Sequence, residues 1–187
     1  MSIEAELKAR VGDPQTVRAG LASRADVTQA VYHDTYYDRA GDGFMSGGRE
    51  LRLRTIETQD SVRHLLTFKA PAVDEASGSK PEFETEVADP EAVAAILEGL
   101  GYRPALTFSK RCENFEFEHD GHPMLATLVT VPEIEGTFLE VETVVEQEDG
   151  LSAALDAVRG VLHELGINDD DLTTELYTDA VKRSRGA

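Results

Sequence analysis

The chain has 187 residues, a length that predicts one domain, so residues 1–187 are read as a single unit. With 41% hydrophobic and 29% charged residues it has a globular composition, able to bury roughly 70% of its unfolded surface, which excludes disordered and collagen-like classes. Acidic residues number 36 against 18 basic ones, and the resulting net charge of −18 repels nucleic acid and anionic membrane, so neither is expected as a partner. Such acidity also suits a cytosol of high salt, although solubility alone explains it nearly as well. No run approaches the roughly 18 apolar residues that span a bilayer. The start, Met1 to Glu6, has neither a basic nor an apolar signal region, and the single cysteine, Cys112, cannot form an internal disulfide. These features predict a soluble, cytoplasmic protein.

Taken along the chain, Ile3 to Ala9 alternates apolar and polar residues and predicts a strand. Asp13-Pro14 supplies an N-cap and a proline at the first helical position for a helix over Gln15 to Ser23. Alternation returns at Ala30 to Tyr37, Glu50 to Ile56 and Val62 to Lys69, and Ala70 to Ser79 reads as a loop before the strand Glu82 to Val87. Asp89-Pro90 then caps a helix over Glu91 to Leu100, ended by Gly101. Phe115 to Glu118, Leu125 to Val131 and Thr137 to Val145 bring the total to about eight strands. His119-Asp120-Gly121-His122 lies between two of them, and its Asp-Gly pair marks a hairpin rather than a zinc site. Leu151, Ala154, Leu155, Val158, Val161, Leu162 and Leu165 form a helical stripe that stops at Gly166, and a short helix is expected around Leu172 to Lys182. Many antiparallel strands with a few helices make an α+β fold.

A period of two puts Glu4, Glu6 and Lys8 on one face of the first strand and Ile3, Ala5 and Leu7 on the other. Leu51-Arg52-Leu53-Arg54 likewise presents two guanidinium groups, and Leu139-Glu140-Val141-Glu142 two carboxylates. Lys69 ends its strand, and Glu82, Glu84 and Glu86 form a further acidic row. Singly, each is an ordinary solvated face of a half-buried strand. Together they match one chemical need: carboxylate oxygens hold a hard divalent cation, while Arg and Lys hold the phosphate oxygens that the cation bridges. Closure into a barrel would turn these faces into a polar tunnel.

The N-terminal Glu4-x-Glu6-x-Lys8 resembles the signature of the CYTH family, the triphosphate tunnel metalloenzymes that include class IV adenylyl cyclases and thiamine triphosphatases. The family's later segments follow in order: His33-Asp34-Thr35-Tyr36-Tyr37-Asp38, Glu50-Leu51-Arg52-Leu53-Arg54, Leu66-Thr67-Phe68-Lys69-Ala70-Pro71, Lys80-x-Glu82-x-Glu84, Leu100-Gly101-Tyr102, Ser109-Lys110-Arg111 and Gly136 to Glu142. The resemblance implies an eight-stranded antiparallel closed β-barrel with flanking helices, holding a small-molecule triphosphate with Mg2+ or Mn2+. It implies Glu4, Glu6, Glu140 and Glu142 as metal-side carboxylates and Lys8, Arg52, Arg54, Lys69 and Lys110 as the triphosphate cradle. Lys69 with Tyr36 would act in catalysis, and Glu82 and Glu84 would be further tunnel acids.

Two positions depart from the family pattern. Leu125 to Val131 has no acid where many relatives carry an aspartate, and Cys112 stands where they often have a second basic residue. Either the register slips by one residue near Lys110 or the cradle has one arm fewer. The thiol itself reads as a buried, inert group. The resemblance implies a cyclase that converts ATP to cyclic AMP and pyrophosphate. A triphosphatase acting on inorganic triphosphate, thiamine triphosphate or a nucleotide shares the same cradle, and a non-catalytic triphosphate or polyphosphate binder is the alternative of a different class. Monomer and homodimer are both left open.

Overall fold

The structure, a computed structural model, describes residues 2–39, 41, 44–74 and 78–186. The Gly41-Asp42-Gly43 loop and the middle of the loop over 70–79 fall partly outside the described residues. Eight strands appear: β1 (Ser2–Val11), β2 (Val27–Arg39), β3 (Glu50–Thr58), β4 (Val62–Lys69), β5 (Lys80–Glu86), β6 (Tyr102–His119), β7 (His122–Thr130) and β8 (Thr137–Val145). Four α-helices flank them: α1 (Pro14–Ala22), α2 (Pro90–Gly99), α3 (Leu151–Glu164) and α4 (Tyr177–Ser184). The strands close into an antiparallel barrel in the order β1-β5-β4-β3-β2-β6-β7-β8. Closure satisfies the backbone donors and acceptors of both would-be edges and divides every strand into an inner and an outer face.

The outer face is the apolar one. Ile3, Ala5, Leu7 and Ala9 of β1 are buried outward, as are Leu139 and Val141 of β8. Against them lies the stripe of α3, in which Ala154, Val158, Val161 and Leu162 are almost fully buried. Asp13 accepts from the backbone N–H groups of Gln15 and Thr16, and Asp89 from that of Ala92, so both Asp-Pro starts cap their helices. Between β6 and β7 the chain turns in two residues. Asp120 (φ 48°) and Gly121 (φ 76°) are both left-handed, the backbone that a two-residue hairpin twisting with its strands requires.

β6 is much longer than the expected Phe115 to Glu118. Its first half carries Pro104 and the charged run Lys110-Arg111, which obscure the alternation. Pro104 has no N–H to give the ladder, and the pairing with β2 shifts beside it, between Tyr36 and Tyr37. β7 ends at Thr130, opposite Arg111, so residues 102–110 pair with β2 alone. α4 covers the side left open: Arg185 donates to the Thr107 carbonyl at 2.8 Å, and Val181 is buried with Phe108 and Val131. This last helix begins at Tyr177 rather than near Leu172. Residues 172–176 run extended because they bond to the end of β1, Leu172 bridging Ala9 and Thr173 donating to the Lys8 carbonyl at 2.8 Å.

Leu139→Ala should lower the unfolding free energy by about 3 kcal/mol, since it opens a cavity between barrel and α3. Urea unfolding would measure it, and a loss below about 1 kcal/mol would show that this face carries little of the core.

Candidate active site

Barrel closure gathers the charged faces around one cavity of about 550 Å3. β1 contributes Glu4, Glu6 and Lys8; β3, Arg52 and Arg54; β4, Lys69; β5, Glu82 and Glu84; β6, Lys110; β8, Glu140 and Glu142. Tyr36 of β2 also lines it. All the site residues expected from the sequence therefore face one volume, whereas Glu86, the third acid of the β5 row, is exposed and pairs with Arg63 at 3.3 Å.

Three carboxylates converge. Glu4, Glu6 and Glu142 each bring an oxygen within 4.8 Å of the others, and Glu6 stands directly opposite Glu142 in the β1–β8 ladder. Like charges opposite one another repel. Burial, with Glu140 and Glu4 nearby, pushes Glu6 up to about 7, and burial beside Glu4 and Glu6 raises Glu142 well above the carboxylate range. Glu4 goes the other way: burial opposes its ionisation, but the Lys69 ammonium holds it down to about 2. An all-oxygen set with surplus negative charge fits a hard divalent cation, whose charge relieves the repulsion. Glu140 stands apart from this trio. Its carboxylate lies 3.6 Å from the Lys110 ammonium, and Lys110 and Lys8 lower its pKa against the effect of burial.

The cations are held in different ways. Arg54 is clamped by the fully buried Asp34 through bonds of 2.6 and 2.7 Å, and its guanidinium lies 4.5 Å from the centre of the Tyr32 ring. Lys69 pairs with Glu4 and, at 2.8 Å, with Glu82. Arg52 donates to Thr67 at 3.3 Å and lies 3.9 Å from Glu84, while its buried Nε has no hydrogen-bond partner. Lys8 donates to the backbone carbonyl of Glu175. Tyr36 stacks on Phe108 with centroids 5.7 Å apart, and its cross-strand neighbour is Arg52. Lys69 is opposite Glu50 on the far side of β3, so the first partner of Tyr36 is the arginine.

Sequence reasoning did not single out Asp34, Tyr32, Asn114, Thr127 or Tyr177. Asp34 and Tyr32 share a strand face with Tyr36, so alternation could have found them. Asn114 and Thr127 belong to a neutral chain, Thr127 donating to Asn114 at 3.0 Å and Asn114 to the Tyr32 hydroxyl at 2.8 Å. Tyr177 comes from the far end of the sequence, and nothing local marks it.

Residues 2–177 match the CYTH domain. The chain belongs to the CYTH family. It is 25% identical over 186 residues to the adenylate cyclase CyaB of Aeromonas hydrophila, covering 97% of this chain and 90% of that protein. Among solved structures it resembles the PH1819 protein of Pyrococcus horikoshii, with 26% identity, a TM-score of 0.82 and coverage of 93% and 95% of the two chains. It also resembles HpAC1 of Hippeastrum, a cyclase candidate described as having a dominant triphosphatase activity, with 18% identity, a TM-score of 0.64 and coverage of 98% and 96%. The CYTH fold is a metal-dependent tunnel for small-molecule triphosphates. No helix among the described residues is long and apolar enough to cross a membrane.

The two departures from the CYTH pattern now have a place. On β7 the inward residues are Leu125 and Thr127, the latter tied to Asn114, so the acid-free strand gives the cavity a neutral wall. The β2–β6 register runs unbroken through Tyr32↔Lys110 and Ala30↔Cys112, so nothing slips and Lys110 faces inward. Cys112 is buried among Val129, Phe138 and Tyr177, and burial pushes its thiol up to about 11. The wall has one basic side chain fewer at that point.

Because Glu6 has a folded pKa of about 7 against an ordinary 4.5, the folded state binds more protons there than the unfolded chain between those values. Glu6 therefore makes stability fall as pH rises through that window. Glu4, depressed to about 2, has the opposite sign, and its stabilisation is lost only as pH falls below its ordinary 4.5 toward 2. Thermal unfolding should show Mg2+ or Mn2+ raising the Tm more at pH 8 than at pH 5, and Glu6→Gln should remove most of that difference. Equal metal shifts at both pH values would exclude the Glu4–Glu6–Glu142 group as the binding site.

Proposed function

We propose that the chain is a divalent-metal-dependent adenylyl cyclase, binding ATP in the tunnel and converting it to cyclic AMP and pyrophosphate. The observation that carries this is the joining of a carboxylate trio to the cations Lys8, Arg52, Arg54, Lys69 and Lys110 in one cavity of about 550 Å3, within the range that holds a nucleotide-sized ligand. The same cavity also has a stretch of wall built from Ile56, Leu65 and Leu125 with Thr28, Thr58 and Ser61, a mixture of apolar surface and hydroxyls. A nucleoside has use for such a wall and inorganic triphosphate has none. That feature favours a nucleotide over a bare phosphate chain.

Glu4, Glu6 and Glu142 would hold the cation, with Glu140 facing Lys110 and Lys8 beside them. A bound divalent ion supplies charge neutralisation on the phosphates and polarises the phosphorus under attack. Arg52, Arg54, Lys69, Lys8 and Lys110 would grip the phosphate oxygens. Arg52 is the best prepared of them, since its buried Nε has a donor to give and no acceptor among the described residues. Arg54 is held rigid by Asp34 and offers its remaining N–H groups from a fixed position. Lys69, poised between Glu4 and Glu82, would bridge the metal carboxylates and the phosphates, and Tyr36 would fix the Arg52 guanidinium from the side opposite Thr67 and Glu84. In the cyclase reaction the ribose 3′-hydroxyl gives up its proton to solvent as its oxygen bonds to the α-phosphorus and the bond to the β-phosphate bridge breaks to release pyrophosphate, so in-line positioning and electrostatics do most of the work.

A second reading, hydrolysis of a triphosphate by water in the same cradle, is favoured by the activity described for HpAC1. One experiment separates them: purified protein with ATP, inorganic triphosphate or thiamine triphosphate, each with Mg2+, Mn2+ or chelator, and every product identified. Cyclic AMP with pyrophosphate is the expected result. Orthophosphate would assign the triphosphatase instead, and tight binding without product would leave a binding module. Glu6→Gln and Lys69→Ala should each cut turnover at least 100-fold, roughly the effect of removing one aligned charge from a transition state, with the Tm within a few degrees of wild type. Near-wild-type rates would remove the residue concerned from the site.

A further inference from the structure

We infer that Tyr177 is a substrate-binding residue: its ring positions the Lys8 and Lys110 ammonium groups, and its hydroxyl donates a hydrogen bond to an oxygen of the phosphate chain. The inference rests on the triphosphate reading above and adds a contact from outside the barrel strands.

The segment before α4 is fastened to β1 at several points. Leu172 bridges Ala9, Thr173 donates to the Lys8 carbonyl at 2.8 Å, and Lys8 donates back to the Glu175 carbonyl. The Glu175 carboxylate takes Arg10 at 2.8 Å and also pairs with Arg183. With both sides of residue 177 held, the tyrosine is driven into the barrel wall and only 8% of it remains exposed. Phe138 meets its ring edge-on, with centroids 5.3 Å apart and planes at 88°.

Both lysines approach that ring, Lys8 at 4.5 Å and Lys110 at 4.8 Å from its centroid. An aromatic face attracts an ammonium without neutralising it. One carboxylate, Glu140, stands 3.6 Å from Lys110 against the two ammonium groups, whereas Asp34 balances Arg54 one to one. The ring thus holds two like charges near each other in fixed positions, with N–H donors left to give.

The hydroxyl supplies the second observation. It is buried beside the Glu140 carboxylate, which is close to it but not aligned to accept a full hydrogen bond. A buried donor without an acceptor is costly, and proteins rarely keep one without a use. An acceptor reaching this place comes near two ammonium groups and one carboxylate, and the surplus of positive charge selects an anionic oxygen. Within the proposed substrate, the phosphate chain provides it.

The test compares wild type, Tyr177→Phe and Tyr177→Ala by calorimetric titration with inorganic triphosphate, in chelator and again with Mg2+, alongside thermal unfolding without ligand. Tyr177→Phe keeps the ring and loses only the donor. It should weaken triphosphate binding about tenfold, equivalent to ~1.4 kcal/mol, while the ligand-free Tm stays equal or rises. Tyr177→Ala should weaken binding further, because the lysines lose their platform. If wild type binds and Tyr177→Phe binds within twofold of it, the role of Tyr177 is overturned and the triphosphate reading stands. A Tyr177→Phe protein that is destabilised, with unchanged affinity once folded, would show that the hydroxyl serves Glu140 alone and would also overturn it. Wild type that binds no triphosphate under either condition would overturn both.

Discussion

Everything in this protein follows from enclosing carboxylates with one another. When the barrel closes, Glu6 is set opposite Glu142 and within reach of Glu4, in a space where burial already disfavours charge. That repulsion has to be offset, and the surrounding residues do it unevenly. Glu4 has Lys69 in an ion pair and stays ionised; Glu6 and Glu142 form no ion pair among the described residues and are pushed upward. The asymmetry leaves a localised deficit of positive charge that a divalent cation can fill. The same principle of opposed charge at close range organises the other wall, where Lys8, Lys110 and Glu140 balance one another.

The fold tolerates this interior because its stabilising surface lies on the other side of the strands. In a typical small barrel the inside is filled by apolar side chains, whereas here the apolar residues of β1 and β8 point outward to α3. Net stability therefore depends on the helices that cover the barrel, and the inner face is released for chemistry. The interior is not uniformly soft. Asp34, fully buried, and Arg54, nearly so, form a bidentate pair in which loss of either partner strands a charge, so this point is held by geometry rather than by solvent. Around it stand groups with capacity to spare, the Arg52 Nε and the ammonium groups of Lys8 and Lys110. A rigid anchor beside underused donors is what electrostatic catalysis on a phosphate chain requires, since donors fixed in advance need no reorganisation when charge develops.

The last helix links fold to site. β7 stops short of the start of β6, and without α4 the barrel would have an uncovered side there. Covering it brings Val181 against Phe108 and Val131, and carries Tyr177 to the lysines. One structural repair thus introduces an aromatic ring from the end of the chain into a cavity otherwise built from strands.

Strand alternation in the sequence determined which residues would share a face, because a side-chain period of two is a local property of the extended backbone. That was enough for Glu4, Glu6 and Lys8, for Arg52 and Arg54, and for Glu140 and Glu142, and the ordered motifs joined them into one tunnel. Helix starts at Asp13-Pro14 and Asp89-Pro90 were equally legible, since a cap acts within three residues. Only tertiary structure decided the rest. Whether a carboxylate meets another carboxylate or an ammonium depends on register and shear across strands far apart in sequence, so the division of Glu4, Glu6 and Glu142 from Glu140 was not written locally. The same holds for the length of β6, hidden by Pro104 and its charged run. It holds most of all for Tyr177, whose place is fixed by bonds from residues 172–176 to β1, at the opposite end of the chain. Local periodicity sets a side chain's face; long-range pairing sets its neighbours, and neighbours determine charge.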